Sequence, residues 1–389
     1  MDDFDPTLPE DLETPYVLYR ELRAKCPVAH TSKMGGFWAL TRYADIAQVA
    51  GDYAQFTTTI QNVVPKVAAV GRRPPLHLDP PDHTHYRRAL APLMTDKNVQ
   101  ALRPFTQKVC DDLLAGMLAT GGGDICADYA AILPVRVFAR WMNLSGAQAD
   151  ALARTATIYN FAVQSLNGNV SRETSGQLYD MARAIVSERK TMPLEARLDA
   201  VTALLAIRVN GEPLPDEMIV GTIRQVLVVG IIAPQVVFGS LTVHLAKDPA
   251  LQQQLRSSPH LIPAAIEEFL RLYTPYRGFA RTTTSDINLH GVTIPKDDAV
   301  ALVYASANRD EAVFDEPETF RLHRSNIKES LAFGRGPHVC LGAGLARLEL
   351  IVALERLLAG TRHFQLNGPI VPTRMPEIGT LQVPISFEA

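Results

Sequence analysis

The sequence predicts a mainly α-helical protein with a small β portion, folded as one large domain over residues 1–389. Three observations carry this prediction. Helical hydrophobic spacing begins after Asp79-Pro80-Pro81, with proline in the first turn that tolerates it, and dominates to about Ser258. Short alternating runs stand apart from it, at Gly36–Thr41, Arg281–Val303 and Leu381–Phe387. No linker of shifted composition separates two halves. With 47 % hydrophobic and 20 % charged residues among 389, the chain has ample material for a core, which excludes a disordered or low-complexity protein.

The elements follow in order. Tyr16 to Cys26 reads as a helix, and Gln61 to Leu78 as a long connection of a length that is usually functional. Turns at Gly121-Gly122-Gly123, Asn167-Gly168-Asn169 and Asn210-Gly211 divide the helical stretch. Gln225 to Ala246 carries no Asp, Glu, Lys or Arg and is long enough to cross a bilayer. Gln225, Pro234, Gln235, Ser240, Thr242 and His244 within it favour a helix buried inside a large protein, with no membrane span. Ile262 to Leu272 is another helix. Arg281 to Val303, with a turn at His290-Gly291, is a small antiparallel sheet. A loop-rich stretch, Ala307 to Gly336, leads to a last helix, Leu341 to Ala359.

Composition also limits function. Lys+Arg 38 against Asp+Glu 41 excludes a strongly basic nucleic-acid binder. Cys26, Cys110, Cys126 and Cys340 are too few and too scattered for a disulfide framework or a zinc pair. The acidic opening shows no secretory pattern, so a cytoplasmic location is expected.

The most informative segment is Phe333-Gly334-Arg335-Gly336-Pro337-His338-Val339-Cys340-Leu341-Gly342. Its glycines and proline describe a tight loop that lets something large approach the backbone. Cys340 stands just before a helix, where unpaired N–H groups and the helix dipole favour a thiolate. A single thiolate held by backbone donors suits the axial ligand of a haem iron. A buried structural cysteine is the alternative for a cysteine taken alone. A dinucleotide loop fits poorly, because Gly342-Ala343-Gly344 lacks the third glycine.

The ten residues resemble the haem-ligand signature of the cytochrome P-450 superfamily, Phe-Gly-x-Gly-x-His-x-Cys-x-Gly, at every fixed position. Most of the chain resembles its soluble bacterial members. The resemblance implies the P-450 fold and haem b, with Cys340 on the iron and Phe333, His338 and Gly342 in the cofactor loop. Glu268 and Arg271 match the family's buried Glu-x-x-Arg pair, which locks the meander around the cysteine loop. Thr319 stands where an arginine often completes that network, leaving Arg321, His323 and Arg324 as candidates for the third partner.

Haem propionates need cationic or donor groups. His83 and Arg87 stand one helical turn apart in a segment resembling the one that supplies them. Arg281 and His338 join them by the same resemblance. A rival reading makes His77, His83 and His85 a metal cluster, but no matching partner motif follows.

Gln225–Ala246 resembles the helix over the distal haem face. Ungapped alignment puts Val229-Gly230-Ile231-Ile232-Ala233 where the family carries an acid and an alcohol that relay protons. Ile232 and Ala233 cannot donate. Pro234 lacks an N–H and leaves the Gly230 carbonyl without a helical partner, so that carbonyl can hold water, with Gln235 as a second polar group.

The expected function is a haem-thiolate monooxygenase. It inserts one atom of O₂ into a small lipophilic or aromatic molecule by hydroxylation or O-dealkylation. Electrons come from NAD(P)H through ferredoxin and ferredoxin reductase. The missing acid–alcohol pair keeps open a peroxide-driven peroxygenase or a non-oxidative haem enzyme, and a haem-bound binder or sensor stands in another class. The resemblance places Tyr159, Phe161, Val226, Val229, Gly230, Ala233, Phe279 and Ile378 around the substrate. Arg277 is either a contact for a substrate carboxylate or, as the stronger expectation, an outward-facing arginine.

Overall fold

A computed structural model describes residues 3–7, 11–66 and 71–388. The helices that position the site are α1 (Asp82–Leu90), α2 (Gly146–Gln164), α3 (Gly168–Thr191), α4 (Asp216–Val229), α5 (Ile232–Lys247), α6 (Ile262–Leu272) and α7 (Ala343–Gly360). Their ends follow local chemistry. Ser145 and Gln148 cap α2 reciprocally, and the Asn167 side chain accepts the Val170 N–H at the start of α3.

The uncharged segment is not one helix. It breaks at Gly230–Ile231, between α4 and α5, one turn before Pro234. Pro234 therefore sits in the first turn of α5, where a missing N–H is tolerated, and Gly230 is the residue its ring would crowd. By length and composition the α4–α5 run could cross a membrane, yet 78 % of its most apolar stretch is buried inside the fold.

Two apolar cores flank this run. Phe238, Leu241, Ile266, Phe269, Leu354 and Leu357 join α5, α6 and α7. Leu90, Leu152, Leu178, Ile223 and Leu227 join α1, α2, α3 and α4. Each fully buried large side chain contributes roughly 1.5–3 kcal/mol, so these contacts hold the helices in place.

The β portion reaches further along the chain than the alternation in the sequence shows. Strands β1 (Val28–Thr31), β2 (Phe37–Leu40), β3 (Phe56–Thr57), β5 (Ala280–Thr283) and β6 (Ala299–Leu302) form one sheet in the order β1-β2-β6-β5-β3. The β5–β6 pair is antiparallel as expected, but β6 also runs parallel to β2, which draws the N-terminal segment into the sheet. Gly122–Asp124, read as a turn, is strand β4; it pairs with the C-terminal strand (Pro384–Glu388) beside a third strand, His363–Leu366. A Cβ on Gly122 would lie 2.2 Å from the Ile385 carbonyl oxygen, so glycine is what lets that strand close.

Candidate active site

The loop before α7 is held by its own backbone. Gly334 and Gly336 take φ of +72° and +75°, and a Cβ on Gly336 would meet the Ala50 carbonyl oxygen at 2.4 Å. The Cys340 N–H donates to the Phe333 carbonyl at 2.8 Å, closing the loop. Gly342 caps α7, and its N–H donates to the Cys340 sulfur. Cys340 is accessible yet surrounded by protein on most sides. Burial pushes its thiol up, and the Gly342 N–H, Arg87 and Arg347 pull against that without reversing it. A metal cation at the sulfur would supply the missing stabilisation of a thiolate.

Arg87, His83, His338 and Arg281 converge beside this sulfur. The His83 and His338 rings meet edge to face with centroids 4.5 Å apart. Burial, with the charges of Arg281, His83 and Arg87, lowers His338 to about 3; burial and Arg87 lower His83 to about 4. Both imidazoles are neutral at ordinary pH. His83 Nε2 is buried with no hydrogen-bond partner, and among the described residues neither Arg87 nor Arg281 has a carboxylate partner. Asp79 lies 4.0 Å from His338 but is taken up by Thr57 and Thr58. Two unpaired guanidiniums and an orphaned imidazole nitrogen are a donor set for carboxylates, which a haem carries. The residues fit the group. His77 and His85 form no metal cluster with His83 among the described residues.

Around their junction, α4 and α5 present accessible apolar residues between buried ones. Val226, Val229, Gly230 and Ala233 are part-exposed or exposed, Val229 at 49 %, while Leu227, Val228, Ile231 and Ile232 are buried. Gln235 is buried, and its amide makes no hydrogen bond among the described residues. Three more segments close around one another. Val64 N–H donates to the Gly278 carbonyl, Arg277 N–H to that of Pro376, and Ile378 N–H to that of Pro275. Gly278 permits this, since a Cβ there would lie 2.5 Å from both Pro376 and Val64. Phe279 packs on Tyr276 with ring centroids 4.4 Å apart.

Three expectations need correction. Tyr159 is buried, whereas Phe161 is 69 % exposed; two residues turn a helix by about 200°, so they face opposite ways. Ile378 is buried in an apolar core with Val64 and Met375 rather than accessible to a substrate. Arg277 does not face outward: it is buried, and its Nε donates to the Glu377 carbonyl at 2.8 Å.

Glu268 and Arg271 form the buried pair at 2.7 Å, and the third partner is Arg324, whose Nε donates to Glu268 at 3.0 Å. Arg321 contributes only its backbone N–H, and its side chain turns to Asp315 and Glu316. Asn308 links the meander to the cysteine loop: its carbonyl accepts from Arg271 and its side chain accepts the Leu331 N–H. Sequence reasoning missed that link.

A family model for cytochrome P-450 matches residues 169–387. Mycinamicin IV hydroxylase/epoxidase of Micromonospora griseorubida is 30 % identical over 380 residues, covering 95 % of this chain and 94 % of that protein. The chain belongs to the cytochrome P-450 family. Cyclomarin C epoxidase CymV of Salinispora arenicola is a further relative of this P-450, 30 % identical over 359 residues and covering 90 % of this chain and 89 % of CymV. The ligand-free structure of the P-450 TbtJ1 superposes with a TM-score of 0.86 at 30 % identity, with 100 % of both chains covered. This P-450 is a haem monooxygenase and an oxidoreductase, and its cofactor is haem b.

Proposed function

We propose that this P-450 hydroxylates or O-dealkylates a small lipophilic molecule, using O₂ and electrons from NAD(P)H delivered by ferredoxin and ferredoxin reductase. Its place is the cytoplasm. The carrying observation is Cys340 in a glycine loop, beside the carboxylate donors His83, Arg87, Arg281 and His338, together with the accessible apolar residues Val226, Val229, Gly230 and Ala233 of α4 and α5. When bound, haem supplies the activation of O₂ that no side chain here performs. Cys340 would hold the iron, and the two arginines and two neutral histidines would hold the propionates.

The chain's own residues then orient and exclude. The accessible residues of α4 and α5 offer only alkyl and backbone groups, so they select apolar surface and keep bulk water out. Ile232 and Ala233 cannot pass a proton. Gln235, buried with an unused amide, and the Gly230 carbonyl are the polar groups left for an ordered water. That same lack of an acid and an alcohol favours a second reading, a peroxide-driven enzyme.

The test is a parallel assay of the purified holoprotein, one arm with ferredoxin, reductase and NADPH, the other with hydrogen peroxide alone. Product formation coupled to NADPH consumption supports the first reading. Turnover with peroxide but with none of several competent donors overturns it. Cys340→Ser is expected to lose the thiolate-type absorption of the reduced, carbon monoxide-bound form; retention of it would sink both readings.

A further inference from the structure

A second pair of buried arginines lies away from the haem donors, where the loop after Gly71 meets α2, α3 and α4. Gly221 on α4 lets the loop approach: a Cβ there would lie 2.0 Å from the Arg72 carbonyl oxygen. This brings Arg73 against Arg224, three residues further along the helix. Arg224 is 2 % exposed and Arg73 8 % exposed.

Their partners are all neutral. Arg224 donates to Ser175 Oγ at 2.8 Å, and its guanidinium lies 5.1 Å from the Tyr159 ring centroid and 5.7 Å from that of Tyr179. Arg73 donates to His77 Nε2 at 3.2 Å, and burial with Arg73 and Arg224 nearby lowers His77 to about 4, so the imidazole is an uncharged acceptor. Among the described residues no carboxylate pairs with either arginine. Glu217, near Tyr179, pairs with Arg183 instead, and Val67-Ala68-Ala69-Val70 just upstream carry no charge. Arg73 Nε, Arg224 Nε and the Tyr179 hydroxyl are buried without a hydrogen-bond partner among the described residues.

Two like charges taken out of water, each with an unused donor, repel one another, and an anion between them would offset that cost. We propose that Arg73 and Arg224 form a buried anion site that takes an oxyanion of the carboxylate or sulfate type. The planar guanidinium forks match two oxygens, and the Tyr179 hydroxyl offers a further donor. Arg224 lies about 9 Å along the helix from Gly230. An oxyanion seated there is therefore either the head group of a molecule whose apolar body reaches the accessible residues of α4 and α5 or a free ion bracing the roof of the pocket. The first source rests on the function proposed above; the second does not.

The experiment has two arms. In the first, decanoic acid and methyl decanoate are titrated into the holoprotein and followed by the haem absorption shift and by calorimetry. In the second, thermal unfolding is compared in sodium sulfate and in sodium chloride at matched ionic strength. A head-group anion predicts that the acid binds at least about tenfold tighter than the ester, with the preference lost in Arg73→Met and Arg224→Met. A free anion predicts stabilisation by millimolar sulfate over chloride, also lost in those variants. Equal acid and ester binding together with no sulfate advantage in the unsubstituted protein overturns the site, as does a preference that survives in both variants. The comparisons on the unsubstituted protein need no variant to fold. Loss of the thiolate-type spectrum would instead count against the haem reading and leave the sulfate arm standing.

Discussion

Arg324→Met isolates the ionic network that braces the cysteine loop. In the folded protein Glu268, Arg271 and Arg324 are all nearly inaccessible. The Glu268 carboxylate accepts from Arg271 at 2.7 and 2.9 Å, from Arg324 at 3.0 Å and from the Arg321 N–H at 3.1 Å. Burial pushes its pKa up, but the hydrogen bonds from Arg271 and Arg324 outweigh that and hold it below the usual carboxylate value. Arg324 also donates to the carbonyls of Asp315 and Thr319.

Methionine fills the same space but strands these acceptors. Removing one partner of a buried ion pair costs about 3–5 kcal/mol; because Arg271 remains on Glu268, about 3 kcal/mol is expected here. The disturbance should pass through Asn308, held by Arg271 on one side and by Leu331 on the other, into the loop that carries Cys340. Guanidinium unfolding of the holoprotein, read by fluorescence and by haem absorbance, is the assay. Both midpoints should fall together. A cost below about 1 kcal/mol, as for an exposed pair, or a fall in fluorescence with the haem band unmoved, would refute the reasoning.

Gly336→Ala should destabilise the holoprotein by roughly 2 kcal/mol or more, because φ is +75° and a Cβ would meet the Ala50 carbonyl oxygen; an unchanged melting temperature refutes it. Glu349, buried on α7 without a partner among the described residues, has its pKa pushed by burial to about 8, above the unfolded value of 4.5. The folded protein therefore holds an extra proton between those values, and stability falls by up to about 1.4 kcal/mol per pH unit as pH rises through them. Glu349→Gln should remove that slope, and parallel pH profiles would exclude this account. Pro234→Ala restores an N–H that can reach the Gly230 carbonyl, so α4 and α5 should join and amide exchange at 230–234 should slow; unchanged exchange means the proline does not cause the break.

The legible parts of this molecule are those where function restricts residue type locally. Gly334, Gly336, Cys340 and Gly342 are needed within a few positions of one another, so the loop could be read directly. Helix α6 was legible to the residue because its apolar stripe is clean and a proline opens it. Contacts distant in sequence were not. Strand Gly122–Asp124 is three residues whose pairing partner lies at the other end of the chain. The third partner of the Glu268 network was one of three candidates, because only the folded meander decides which side chain reaches the carboxylate and three carbonyls at once. The helix break was half visible: Pro234 announced a disturbance, but its position at Gly230–Ile231 depends on the glycine four residues earlier yielding in its place.

The buried arginines show why the site itself was only partly readable. Arg271 and Arg324 have a carboxylate in the chain, and the sequence motif contains it. Arg87 and Arg281 have none among the described residues, yet they stand beside a cysteine loop that requires an acidic prosthetic group, so the motif names their partner indirectly. Arg73 and Arg224 belong to no motif, and they come together only because Gly221 lets the loop settle on α4. A desolvated guanidinium without a counterion is unfavourable wherever it occurs. A haem accounts for the pair beside Cys340 and leaves the pair beneath Tyr159 and Tyr179 unexplained. Charge balance in the interior therefore points to an anion from outside the chain.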